Sequence, residues 1–162
     1  MRACAYHRGF LLGPRINAGG RVGRSDLGAR LLSTDDPSEA MTLARELDAL
    51  NAERKEIEAG VLEAACRLAD AQVRDRPHVI FVAAEGWHAG VIGIVAGRLK
   101  DRYERPVCVV ALENGIGKGS GRSIGGFHLG NGFLLVLGLL TRKAGAEFVI
   151  QAMRRLDRRQ RF

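Results

Sequence analysis

A chain of 162 residues and 17.6 kDa holds one ordinary domain, or a small domain with part of another, and is long enough to bury a real core. Its 46% hydrophobic and 27% charged residues are ordinary soluble proportions and exclude a disordered or collagen-like chain. The net charge is +7, and the longest apolar run, Phe133 to Leu140, falls far short of the roughly 20 residues of a membrane span.

In chain order, residues 1–24 carry Arg2, Arg8, Arg15, Arg21 and Arg24 with no acid, a local charge of +5, and they lack the apolar core of a secretory signal. Within them, Gly13-Pro14-Arg15-Ile16-Asn17-Ala18-Gly19-Gly20-Arg21 packs proline, asparagine and glycine around two arginines, which predicts a loop with unusual backbone angles. Further on, Asp36 is placed to cap a helix, Pro37 to open it and Glu39 to complete a capping box. Leu43, Leu47, Leu50, Arg54, Ile57, Val61, Ala64 and Leu68 then alternate at spacings of four and three, and the pattern runs to about Val73. Such a helix is roughly 55 Å long at 1.5 Å per residue, more than one small domain needs, and suits a connector between two domains. A coiled-coil dimer is the alternative, weakened by Arg54 in the seam. Residues 35–76 hold 11 acids against 6 bases, mostly at helical ion-pair spacing.

After Pro77 the apolar, β-branched run His78 to Ala84 predicts a buried strand, followed by the loop Glu85-Gly86-Trp87-His88. Val91, Ile92, Ile94, Val95 and Leu99 mark an amphipathic helix ending near Tyr103, and Val107 to Leu112 a second buried strand. This is a β-α-β unit, whose strands should be parallel neighbours. Residues 113–132 contain eight glycines, with a strand expected from Ile116 to Ile124 and a helix from Leu129 to Leu140. The last stretch, 146–162, is arginine-rich, either a basic helix or a frayed tail. The fold class is therefore α/β: a long connector helix, then a small mixed β-sheet domain with flanking helices.

Cys4, Cys66 and Cys108 are odd in number and widely spaced, which reads as small buried thiols in a reducing cytoplasm rather than a disulfide or zinc framework. His7, His78 and His128 are isolated from one another and from any carboxylate cluster, so they form no evident metal site or triad. The run Gly117-Lys118-Gly119-Ser120-Gly121-Arg122-Ser123 invites comparison with phosphate-binding loops, but Lys118 precedes glycine where a P-loop needs Ser or Thr. Alternation instead puts Lys118, Ser120 and Arg122 on one face of a strand, a phosphate-contact surface, with a plain glycine-rich hairpin as the alternative. Trp87 and His88 stand where a strand gives way to a helix, a usual place for ligand groups in α/β sheets. Alternatively, His88 caps the helix while Trp87 packs the sheet edge. Basic ends around an acidic middle favour a polyanionic partner.

Taken together, the Gly13 to Arg21 segment, Leu27-Gly28-Ala29-Arg30-Leu31-Leu32 with Thr34-Asp35-Asp36, the stretch 47–58, Glu85 to Ala96, and Gly117 to Phe127 resemble, in order, the RecJ family of single-strand-specific DNA exonucleases. The resemblance covers about residues 5–145. It implies residues 1–35 from the end of a phosphoesterase domain, a connector helix over 36–76, a DHH-associated nucleic-acid-binding domain over 77–145 and a divergent basic tail over 146–162. It implies single-stranded DNA as partner, with a 5′-phosphorylated end as the candidate contact, and 5′-to-3′ degradation in DNA repair and recombination. Arg15, Asn17 and Arg21 match a DNA-phosphate loop, Ser120, Arg122 and Ser123 the strand holding the 5′ end, and Trp87 and His88 the strand-to-helix turn. The family uses Mn2+ or Mg2+ held by Asp and His motifs lying upstream of the first match. The expectation is thus a fragment truncated at both ends, with no cofactor of its own, that does not cleave DNA alone. A stand-alone basic binding module, or a fragment of a related phosphoesterase acting on short oligonucleotides, are the competing readings.

Overall fold

The computed structural model describes residues 4–74 and 78–127 and divides the chain into two compact units, Met1–Ala59 and Gly60–Phe162. The helix expected over 129–140, His128 and the basic tail lie outside the described residues.

In the first unit a π-helical turn, His7–Leu12, runs into α1 (Gly13–Ile16), and α2 (Gly19–Val22) and α3 (Leu27–Ser33) follow. The expected loop is thus two short helical turns, and none of its glycines has a positive φ. Glycine is needed there for close approach instead. A Cβ on Gly19 would stand 2.6 Å from the Arg24 carbonyl oxygen, and one on Gly28 2.6 Å from that of Ile16. Leu27, Leu43 and Leu47 form the buried core, with Leu31 and Leu50 against it.

Helix α4 (Pro37–Val73) passes through both units. Asp36 caps it, its Oδ1 accepting the Ser38 N–H at 2.9 Å. The capping box closes through an intermediary. The Glu39 carboxylate accepts from the Thr34 hydroxyl and from Arg30, each at 2.6 Å, and Thr34 Oγ1 accepts the Asp36 N–H at 3.2 Å. The buried line keeps Leu43, Leu47, Arg54 and Val61 of the expected seam and departs from it at the other four positions. It passes through Leu43, Leu47, Asn51, Arg54, Glu58, Val61, Ala65 and Ala69, while Leu68 is 41% exposed. At Asn51, Glu58, Ala65 and Ala69 the line lies one residue beyond the expected Leu50, Ile57, Ala64 and Leu68, and Asn51 and Glu58 are buried there against Arg54, which donates to Asn51 Oδ1 at 3.0 Å and to the Glu58 carboxylate. Arg54, which interrupts the apolar pattern, is buried.

The second unit holds β1 (Ile80–Glu85), α5 (Ile92–Tyr103), β2 (Val107–Glu113) and β3 (Ile116–Arg122). The sheet order is β1-β2-β3, with β1 parallel to β2 as the β-α-β reading requires, and β3 antiparallel to β2. Asn114 and Gly115, both at positive φ, make the two-residue β2–β3 turn, the backbone that an Asn-Gly pair favours. β3 ends at Arg122, short of Ile124, because the chain turns through Gly126 at φ +82° and the Phe127 N–H returns to the Ile124 carbonyl. Ile80, Val82, Val91, Val95, Leu99, Val107 and Val109 form the core between sheet and helix. The end of α4 belongs to this unit: the Gln72 amide meets the backbone N–H and C=O of Phe81, and Tyr103 donates to Asp70 at 2.6 Å. Burial, together with that contact, raises the Tyr103 pKa. Of the cysteines only Cys108 is buried; Cys66 is half-buried and Cys4 exposed, against the expectation of three buried thiols. None of the described helices is long and apolar enough to cross a membrane.

Candidate nucleic-acid interface

Strand β3 alternates chemically as well as geometrically. Lys118, Ser120 and Arg122 share one face and lie opposite Ala111, Val109 and Val107 of β2 in the antiparallel register. Gly117, Gly119 and Gly121 share the other. There the side chains of β2 lean across the glycines: a Cβ on Gly117 would lie 3.1 Å from Val110 Cγ1, and one on Gly119 3.3 Å from Val110 Cγ2. Cys108 belongs to this same face, and burial pushes its thiol up to about 12, so it is neutral at ordinary pH beneath the strand.

The polar face of β3 meets the start of α5. A Cβ on Gly93, in the first turn of that helix, would stand 3.2 Å from Arg122 Nη2 and 3.3 Å from Ser120 Oγ. The N-cap position is Val91, which supplies no side-chain cap. The first turn of α5 therefore offers N–H donors and the positive end of the helix dipole beside a guanidinium and a hydroxyl. Arg122 is held in place by Nη1, which donates to Ser120 Oγ at 3.2 Å and to the Gly121 carbonyl at 2.9 Å, while Nη2 is the atom beside Gly93. His88 stands in the turn leading into α5. Its Nδ1 accepts the Gly90 N–H at 3.1 Å, so in the neutral ring the proton sits on Nε2, a donor on an exposed side chain. His88 thus caps the turn before the helix rather than the helix itself; Trp87 is half-buried.

The structure brings Ser120 and Arg122 together at α5 and keeps Lys118 on their face, exposed. Ser123 is turned away from them. Its hydroxyl donates to the Phe127 carbonyl, closing the turn after β3. Arg15, Asn17 and Arg21 belong to the first unit. Arg15 Nε donates to Asp48 Oδ1 at 2.7 Å and Nη1 to the Leu11 carbonyl at 2.8 Å, which ties α1 to α4. Asn17 ends α1 with an exposed side chain, and Arg21 lies half-buried in the last turn of α2. Sequence reasoning missed Gly93. Its only signal was a glycine, poor for helices, set in the first turn of an otherwise apolar helical pattern. Among the described residues no three His, Cys, Asp or Glu side chains converge to hold a metal ion.

Residues 76–136 match the DHHA1 domain. The chain is 47% identical over 125 residues to the single-stranded-DNA-specific exonuclease RecJ of Haemophilus influenzae, and 47% identical over 132 residues to that of Escherichia coli. Those alignments take in 75% and 79% of this chain, but only 22% and 23% of the two relatives. Among solved structures, RecJ of Thermus thermophilus in complex with Mg2+ superposes with a TM-score of 0.80 at 32% identity, over 96% of this chain and 26% of that one. An exonuclease RecJ bound to manganese superposes with a TM-score of 0.78 at 31% identity, over 98% of this chain and 42% of that one.

Proposed function

From the premise that this is a RecJ-family chain carrying a DHHA1 domain, we propose that it supplies the strand-holding surface of a single-stranded-DNA exonuclease and not its hydrolytic centre. The juxtaposition of Gly93, Ser120 and Arg122 carries this reading. A terminal phosphate set against the first turn of α5 would accept from backbone N–H groups, from the Ser120 hydroxyl and from Arg122 Nη2, a charge-assisted set that suits a dianion better than an internal phosphodiester. Lys118, farther along the same face, would meet the next phosphates, and His88 Nε2–H is a further donor from the turn. Arg15, Asn17 and Arg21 would contribute backbone contacts from the first unit.

The described residues do not fit a divalent ion. We assign the metal-dependent cleavage to the part of the family protein that this chain does not match. The larger role is then 5′-to-3′ removal of single strands in DNA repair and recombination, in the cytoplasm, with residues 1–35, 36–76 and 77–145 as phosphoesterase-domain segment, connector and DNA-binding domain.

Anisotropy titration of a labelled single-stranded oligonucleotide, with a 5′ phosphate or a 5′ hydroxyl, tests this at two salt concentrations. The expected result is tighter binding of the phosphorylated end, persisting at raised salt. Arg122→Ala should reduce that preference about tenfold or more, the size of a charge-assisted contact. Gly93→Ala, whose methyl group would crowd both Arg122 and Ser120, should reduce it as well. Equal binding of the two ends, fading steeply together with salt, would leave only non-specific charge and end this reading.

A further inference from the structure

We propose that the Gln72 side chain is an edge guard: it stands in for a neighbouring strand on the outer edge of β1, and its removal opens that edge to the β1 strand of a second copy of this chain. In the parallel pair the Ile80 N–H donates to the Pro106 carbonyl at 2.9 Å, so Ile80, Val82 and Ala84 turn their backbone groups toward β2. Phe81, Ala83 and Glu85 therefore turn theirs outward, and among the described residues β1 is an edge strand. The Gln72 amide takes both groups of Phe81: Oε1 accepts the N–H at 3.1 Å and Nε2 donates to the C=O at 2.5 Å. That double exchange is the one a directly opposed residue makes in an antiparallel sheet. Gln72 lies in the last turn of α4, and the contact of Tyr103 with Asp70 ties that same turn to α5. A packed helix, not a loop, thus delivers the guard.

The geometry selects the occupant. An edge of this kind takes a strand with little charge and a matching row of outward backbone groups, and β1 itself, Ile80-Phe81-Val82-Ala83-Ala84-Glu85, is such a strand. Two copies related by a two-fold axis at Ala83 would oppose Ala83 to Ala83 and each Phe81 to Glu85 of the other copy. Three opposed pairs of this type exchange two bonds each. The Gln72 amides block both pairs that involve Phe81 and leave only the central one, too few bonds to hold two chains together.

Sedimentation of the whole chain over a concentration series tests this. Gln72→Ala should tighten self-association about tenfold or more relative to the parent, from the bonds released at both Phe81 pairs. Adding Ala83→Pro, which removes the N–H at the two-fold axis and leaves the bonds to β2 in place, should return association to the parent's. Gln72→Glu keeps an acceptor for the Phe81 N–H and loses the donor, so it should move association the same way but less far, and it serves if the alanine variant does not fold. In dilute Gln72→Ala the Phe81 amide should exchange with solvent faster while Ile80 and Val82 keep the parent's protection.

Association equal to the parent's in both Gln72 variants overturns the proposal. So does association that survives Ala83→Pro, which would place the contact elsewhere. A parent chain whose own association is lost on Ala83→Pro would also overturn it, because the edge would then pair with Gln72 in place. No nucleic acid enters the test, so its failure is separate from a failure of terminal-phosphate recognition.

Discussion

Arginine serves opposite ends in the two units. In the first, three guanidinium groups serve mainly the fold: Arg15 joins α1 to Asp48 of α4, Arg30 and Thr34 hold Glu39 at the entry to α4, and Arg54 is buried against Asn51 and Glu58. In the second, Arg122 spends one nitrogen on its own strand and sets the other beside the uncapped start of a helix. Net charge counts all of them alike. What separates a fold-holding cation from a ligand-holding one is whether each N–H already has an acceptor, and that is a matter of geometry.

The largest test of this contrast is Arg54→Ala. Removing one partner of a buried pair leaves the Glu58 carboxylate in a site where its residue is 2% exposed, and the expected cost is about 3–5 kcal/mol in urea unfolding. Preference for a 5′ phosphate, measured on the fraction that remains folded, should be unchanged. Arg122→Ala should show the reverse, losing the preference while stability moves by no more than about 0.5 kcal/mol, as for other exposed positions. A large stability loss at Arg122 would mean that it, too, is structural. Arg15→Ala sits between the two. Its pair with Asp48 is 39% and 60% exposed, so the expected loss is at most about 1 kcal/mol, and raised salt should erase most of it.

Much of this architecture was legible in the sequence, for physical reasons that can be named. Continuous β-branched runs on either side of an amphipathic helix admit little but a parallel β-α-β unit, and β1, α5 and β2 form one. Pro37 after Asp36 fixed where α4 begins. The Asn114-Gly115 turn was equally legible, and that dipeptide between two strands is a signal the sequence reading passed over. Two features were not legible. The buried line on α4 takes in Asn51 and Glu58 because both pair with Arg54, and hydrophobic periodicity is blind to a polar group that finds its partner inside the fold. Gly19 and Gly28 look like turn residues, yet each is glycine because a carbonyl oxygen approaches where a Cβ would be, which only three-dimensional packing reveals. Gly93 at the candidate site belongs to the same class.

The smallest effect sharpens the contrast through pH. The Thr34 hydroxyl and the Arg30 guanidinium hold the Glu39 carboxyl below its ordinary range in the folded state, while the unfolded chain offers neither. A carboxyl whose folded pKa is depressed stabilises the fold at pH values above its unfolded pKa, and that stabilisation is lost as the pH falls through the folded pKa. Acid titration of the thermal midpoint should therefore show a modest decline that begins as the pH falls into the ordinary glutamate range and continues below it, and Glu39→Gln should flatten that part of the curve. The side chain is 37% exposed, so raised salt should shrink the effect. Asp26, lowered first by its contact with Arg24, responds in the same direction, so the Gln variant is what isolates the Glu39 share. If Glu39→Gln leaves the curve unchanged, the relay from Arg30 through Glu39 and Thr34 to the Asp36 N–H does not hold the start of α4, and one of the three structural arginine contacts of the first unit drops out of the comparison.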